Sequence, residues 1–234
     1  ELGATVAVTR RLVRADYTVA GTPKTVAYWA MRFVNGAFVV NDEVDEVRWE
    51  APAKARKLLS YDSERAVLAD FTSLPVPDAV VVLVRHARAG KRRDWKDADD
   101  LRPLDETGTD QSLHLAQTLR HFRPEQIISA EPTRCIQTMQ PLAALLGLPV
   151  QIDPVFGDAS FERSRSATQT ALMSLAKPGR VVVVCSQGVT IPSLIERLSP
   201  GVRHSETRKG ACWVLSIVDG DVVSVDYYDP TLLR

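Results

Sequence analysis

Two unbroken apolar runs, residues 79–84 and 181–185, constrain this chain more than any other feature of its sequence. Neither alternates apolar with polar residues, so neither suits a strand with one face in water. Both suit parallel strands covered on both faces. They are far too short to cross a bilayer. Further along, apolar side chains recur at helical spacing: Leu115, Ala116, Leu119 and Phe122, then Ile136, Met139, Ala143 and Leu146, then Ile191, Leu194, Ile195 and Leu198. Strands alternating with helices predict an α/β fold, a layered α/β/α domain with a mostly parallel sheet. Asp219-Gly220 predicts a closing hairpin between strands at 212–218 and 222–228.

The first 72 residues follow a different pattern. Residues 5–8 and 25–34 have strand spacing, and Asn35-Gly36 predicts a two-residue hairpin turn. Trp49 ends the strand-rich part, and short helices are expected at 51–59 and 63–71. Ser63 is the expected N-cap of the second helix, with Ala66 at the position where a capping box would place an acid. Residues 73–78, Ser-Leu-Pro-Val-Pro-Asp, carry two prolines that block helix continuation. They place a boundary between domains at 1–74 and 75–234. The chain opens Glu1-Leu2-Gly3-Ala4 without Met and reaches strand-like sequence at once, so a segment preceding Glu1 is expected.

Lys plus Arg and Asp plus Glu balance at 29 each. A neutral chain has no general electrostatic attraction for nucleic acid or a membrane surface, so neither is expected as a partner. Three cysteines, Cys135, Cys185 and Cys212, are an odd number and read as reduced thiols of a cytoplasmic protein.

The first buried run leads directly into Arg85-His86-Ala87-Arg88-Ala89-Gly90. Ligands of open α/β sheets bind beyond the carboxyl ends of strands, which suits an Arg-His pair to chemistry. Lys91, Arg92 and Arg93 follow closely, so a solvated basic loop has the same composition. Ser129-Ala130-Glu131-Pro132-Thr133-Arg134-Cys135-Ile136-Gln137-Thr138 joins a short strand to a helix. It puts Arg134 in a first turn, where free N–H groups favour anions. An Arg there is poorly placed for the helix dipole, and an anionic partner would explain it. Cys185-Ser186-Gln187-Gly188 is a third strand-to-helix corner. His114, His121 and His204 stand outside these corners.

In this order the three corners resemble the histidine phosphatase superfamily, whose pattern is Arg-His-Gly or Arg-His-Ala, then Ser-x-x-x-Arg-x-x-x-Thr, then a late Ser-His-Gly. The second element here has one extra residue before the Arg. Arg102-Pro103-Leu104-Asp105-Glu106-Thr107-Gly108 is similar to the family's segment before its first long helix. The resemblance covers residues 79–234. It implies that His86 is the nucleophile, that Arg85 and Arg134 hold the phosphoryl oxygens with Ser186 and Gln187 beside them, and that Asp158 is the acid. Asp158 also reads as an ordinary loop residue. Gln187 stands where the family has its late histidine. A glutamine donates a hydrogen bond but carries no charge, and losing one such stabiliser costs on the order of 10²–10³ in rate.

Residues 1–72 resemble the second half of a Nudix hydrolase domain. Glu1-Leu2-Gly3-Ala4 fits the last four positions of its box. Pro23-Lys24-Thr25-Val26-Ala27-Tyr28-Trp29, Asn41-Asp42-Glu43-Val44-Asp45-Glu46 and Trp49 follow in the family's order. The combination resembles actinobacterial MutT-type proteins, which implies hydrolysis of oxidised guanine nucleotides such as 8-oxo-dGTP, and of dinucleoside polyphosphates. It further implies Mg²⁺ held by Glu1 and Glu43, with Lys24 and Tyr28 on the phosphates. Glu43 reads equally as a solvated turn acid. The sequence is compatible with three functions: a Mg²⁺-dependent nucleotide hydrolase, a metal-independent phosphatase acting through His86, and a phosphate-binding module without turnover.

Overall fold

In the computed structural model, which describes residues 3–202 and 206–229, the chain divides into two units, Glu1–Val76 and Pro77–Arg234. In the first, β1 (Ala4–Arg11), β2 (Ala15–Val19), β3 (Thr22–Val26) and β4 (Trp29–Gly36) precede α1 (Pro52–Leu58) and α2 (Asp62–Ser73). β1 pairs antiparallel with β4, and β2 with β3. Leu12, Ala30 and Val67 form a small core, with Tyr28 and Phe71 packed against it.

Three local expectations fail here: the strand spacing at 25–34 is divided between the end of β3 at Val26 and the start of β4 at Trp29, and a turn and a cap lie elsewhere than expected. The tight turn is Ala20-Gly21, both at positive φ (49° and 80°), and not Asn35-Gly36. Gly36 instead ends β4, paired with Ala4, and a Cβ there would lie 2.3 Å from the Gly3 carbonyl oxygen. The residue is glycine because two backbones meet, not because the chain reverses. The cap of α2 is Tyr61, not Ser63. The acid absent from position 66 is supplied by Glu64, whose Oε2 accepts the Tyr61 N–H at 3.3 Å.

The second unit is the α/β fold expected. Its elements are β5 (Ala79–Arg85), α3 (Glu106–Leu119), β6 (Gln126–Ser129), α4 (Thr133–Leu146), β7 (Val150–Ile152), α5 (Asp158–Arg163), α6 (Arg165–Ser174), β8 (Val181–Ser186), α7 (Thr190–Leu198), β9 (Cys212–Val218) and β10 (Asp221–Tyr228). They build a six-stranded sheet in the order β10-β9-β5-β8-β6-β7. The four strands β5, β8, β6 and β7 are parallel, and β9 runs antiparallel to β5 with β10 beyond it. The two apolar runs are neighbours at the centre of the sheet, every residue of both buried. The turn between β9 and β10 is Asp219-Gly220, at φ 51° and 86°. Adjacent parallel strands end together, so the chain leaving β5 and the chain leaving β8 emerge side by side, Arg85 registered with Ser186. Among the described residues, no helix is long and apolar enough to cross a membrane.

Candidate active site

The side chains at this edge are set by backbone hydrogen bonds between corners. The His86 N–H donates to the Ser186 carbonyl at 3.1 Å, tying the end of β5 to the end of β8. Thr138 ties it to α4: its Oγ1 accepts the Ala87 N–H at 2.9 Å and donates to the Arg134 carbonyl at 2.6 Å. A threonine one helical turn after Arg134 is thus a relay that holds the β5 loop against the first turn of α4.

His86 is 6% exposed, and its Nδ1 lies 2.8 Å from the Ala87 carbonyl oxygen. A carbonyl oxygen only accepts, so Nδ1 carries the ring proton and Nε2 keeps its lone pair. Burial pulls the imidazole from 6.5 down to about 3. The Ala87 hydrogen bond opposes this, and the charges of Arg134, Arg85 and Lys209 reinforce it. The ring is neutral near pH 7, the state a nitrogen nucleophile needs.

Both flanking guanidinium groups are partly satisfied. Arg85 Nη1 donates to the Thr207 carbonyl, and the group lies so close to Gly188 that a Cβ there would come within 2.7 Å of Nη2. Arg134 is 4% exposed; its Nη1 donates to the Asp99 carbonyl at 2.7 Å and its Nη2 lies 3.3 Å from Asp99 Oδ2. The Nε of each is buried without a hydrogen-bond partner among the described residues. Leaving such a donor unsatisfied costs about 1–3 kcal/mol. Both belong to arginines whose charges reach His86, and an oxyanion is a partner of the kind that such donors lack.

The remaining predicted residues are placed less simply. The Ser186 hydroxyl donates to the Phe156 carbonyl at 2.5 Å, so it holds the neighbouring loop. Gln187 Oε1 accepts the Asp158 N–H at 2.9 Å, which leaves the Nε2 end of the amide for a ligand. One oxygen of the Asp158 carboxylate is committed to the start of α7: its Oδ1 accepts from Thr190 N (2.9 Å), Thr190 Oγ1 (2.8 Å) and Val189 N (3.3 Å). A carboxylate used in this way is a helix cap.

In the first unit, Lys24 is exposed on β3 and the Tyr28 ring is packed on the core of that unit. Glu43 is exposed in a turn in which its own N–H donates to Asn41 Oδ1 at 3.0 Å. Glu1 and His204 lie outside the described residues. Among the described residues there is no group of three or more His, Cys, Asp or Glu side chains able to hold a metal. Glu43 alone therefore does not make a Mg²⁺ site.

Two residues that no motif marks lie within reach of these arginines. Asp99 receives Arg102 Nε at 2.9 Å as well as Arg134, and the Arg102 hydrogen bond, with the charges of Arg134, Arg102 and Arg92, holds its carboxyl below the usual range against burial. Lys209 is drawn below its ordinary value by partial burial and then by the charges of Arg85 and Arg102.

The model of the histidine phosphatase superfamily (branch 1) matches residues 81–174. The chain is 37% identical over 235 residues to the 8-oxo-(d)GTP phosphatase of Mycolicibacterium smegmatis, an alignment covering 98% of this chain and 73% of that protein. Among solved structures it is similar to the protein histidine phosphatase SixA complexed with tungstate. The TM-score is 0.55 at 20% identity, over 66% of this chain and 99% of that one. It is also similar to a SixA from Agrobacterium tumefaciens, with TM-score 0.51 and 22% identity over 65% of this chain and 99% of that one. The two structural likenesses concern the fold.

Proposed function

The chain belongs to the histidine phosphatase superfamily (branch 1), and from that premise we propose that it is a phosphatase of nucleotide phosphoanhydrides acting through His86. The observation that carries this reading is the neutral His86 ring, proton fixed on Nδ1, within electrostatic reach of Arg85 and Arg134, each with a buried Nε that has no hydrogen-bond partner among the described residues. Nε2 attacks phosphorus with its lone pair, and the bond from phosphorus to the bridging oxygen breaks, its electron pair leaving on that oxygen. Arg85 and Arg134 offset the charge on the transferring group. Water then attacks the phosphohistidine, the N–P bond breaks, its pair returns to Nε2, and the water proton passes to solvent or to the phosphate released.

The engagement of Asp158 Oδ1 at the start of α7, which holds the carboxylate in its charged, accepting form, supports an anhydride over an alcohol ester. An alkoxide must be protonated as it leaves, whereas a phosphate leaving group, with its second pKa about 6, departs as an anion. Oxidised guanine nucleotides, 8-oxo-dGTP and 8-oxo-GTP, are the substrates suggested by the Mycolicibacterium relative. Dinucleoside polyphosphates share the same bond. The ligands are small phosphates and not nucleic acid or membrane, and the buried cysteines Cys135, Cys185 and Cys212, none in a disulfide, suit a reducing cytoplasm.

The likeness of residues 1–74 to part of a Nudix domain adds a second, Mg²⁺-dependent reading, with Glu1 and Glu43 as ligands and Lys24 and Tyr28 toward phosphates. The described residues do not complete such a site, so no step is assigned to the metal. The substitution at Gln187 favours a third reading, phosphate binding without turnover. Phosphate release from 8-oxo-dGTP, measured in EDTA and in Mg²⁺ for wild type and His86→Ala, separates the three. We expect EDTA-resistant release that His86→Ala lowers ~10³-fold or more. Release that needs Mg²⁺ and survives His86→Ala would transfer the activity to the first unit. Phosphate binding with no release under either condition would leave a binding module.

A further inference from the structure

Arg85 and Arg134 are enough to hold one transferring phosphoryl group, yet the positive charge around His86 extends beyond them. Thr207 and Gly210, just before β9, are bonded to the end of β5. The Thr207 carbonyl accepts from Arg85 Nη1, and the Gly210 N–H donates to the carbonyls of Arg85 (3.1 Å) and His86 (3.2 Å). These bonds seat Lys209 at the rim. Its side chain is exposed, and its ammonium makes no hydrogen bond or ion pair among the described residues. It lies within electrostatic reach of His86, of the cations Arg85, Arg102 and Arg88, and of the carboxylate of Asp105.

The nearby carboxylates are already taken. Asp105 is paired with Arg88 at 3.0 Å, and Asp99 with Arg102 at 2.9 Å and Arg134 at 3.3 Å. Among the described residues, Arg88, Arg102 and Arg134 are paired with Asp99 and Asp105 alone, and Arg85 and Lys209 with no carboxylate. A single phosphomonoester brings about two negative charges. A phosphate chain brings more, and spreads them toward the rim where Lys209 stands.

We propose that Lys209 is a specificity-determining residue that holds the second phosphate of the substrate, on the leaving-group side of the bridging oxygen, so that the site selects nucleoside di- and triphosphates over phosphomonoesters. The inference rests on the reading of His86 as the phosphoryl-accepting centre. A compact ammonium on a flexible stem suits this task, because it follows the charge that builds on the departing phosphate.

The test is calorimetric binding of inorganic phosphate and of pyrophosphate to the full chain in EDTA, for wild type, Lys209→Gln and Lys209→Arg. Wild type should bind pyrophosphate more tightly than phosphate. Lys209→Gln should weaken pyrophosphate ~10-fold, the size of one charged hydrogen bond, and phosphate less than ~2-fold. Lys209→Arg should keep most of the preference. Equal weakening of both anions, or of neither, overturns the role of Lys209 and leaves the His86 site standing. Failure of wild type to bind either anion overturns the site itself and this inference with it.

Discussion

His86 combines two properties that act in the same direction. Its Nδ1 proton is anchored on Ala87, and burial among cations keeps the ring uncharged, pulled down to about 3. In the protein without phosphate, nitrogen chemical shifts of the ring should stay those of the Nδ1–H tautomer from pH 5 to pH 8. A His86 signal titrating near 6.5 would contradict the burial argument. Gln187 is the second residue on which turnover depends. Its Oε1 is held by the Asp158 N–H, so only a neutral amide donor faces the ligand. Gln187→His should raise EDTA-resistant phosphate release by ~10-fold or more, the scale of one ionisable stabiliser. His86→Ala in that background should remove the gain. No gain in a folded variant that still binds phosphate would support the binding-module reading.

At the level of elements, the site depends on how α3 and α7 begin. Asp105 caps α3, its Oδ1 accepting the Gly108 N–H at 2.8 Å while its Oδ2 pairs with Arg88. A Cβ on Gly108 would sit 1.8 Å from the Arg88 carbonyl oxygen, backbone against backbone. Gly108→Ala must therefore displace the loop after His86 or the first turn of α3. It should cost about 2 kcal/mol or more in urea unfolding. Asp158 caps α7 in the same manner, which separates two roles for it. As a cap, Asp158→Ala should lower stability by about 1–2 kcal/mol and leave the pH profile of kcat unchanged. Loss of the limb of that profile assigned to an acid, with stability unaltered, would restore Asp158 as a proton donor. Sequence shows that an acid stands in this loop. It does not show that the acid faces a helix start thirty-two residues further on, at Thr190.

Across the whole molecule, the buried histidine links stability to pH. An unfolded His86 takes up a proton near 6.5 and the native one near 3. Between those values the unfolded chain binds the extra proton, so its contribution to stability is complete above about 6.5 and is lost as pH falls toward 3. The urea midpoint of wild type should drop more steeply between pH 7 and pH 4 than that of His86→Gln. Parallel profiles would mean that the ring is not held neutral by the fold.

What the sequence determined alone was everything written in short-range pattern. The apolar runs that become β5 and β8, the helical spacings of α3, α4 and α7, the Asp219-Gly220 turn, and the corners carrying Arg85, His86 and Arg134 are all local, because the geometry of a strand or helix repeats within a few residues. Tertiary structure decided which polar groups meet. Arg134 finds Asp99 thirty-five residues earlier and Arg85 finds Thr207 one hundred and twenty-two residues later, while Ser186 is directed by Phe156, Gln187 by the Asp158 N–H and Asp158 by Thr190. Lys209 reaches the rim only because Gly210 bonds to the carbonyls of Arg85 and His86. No periodicity encodes such pairings, since a buried donor is satisfied by whichever acceptor the packed sheet brings within reach.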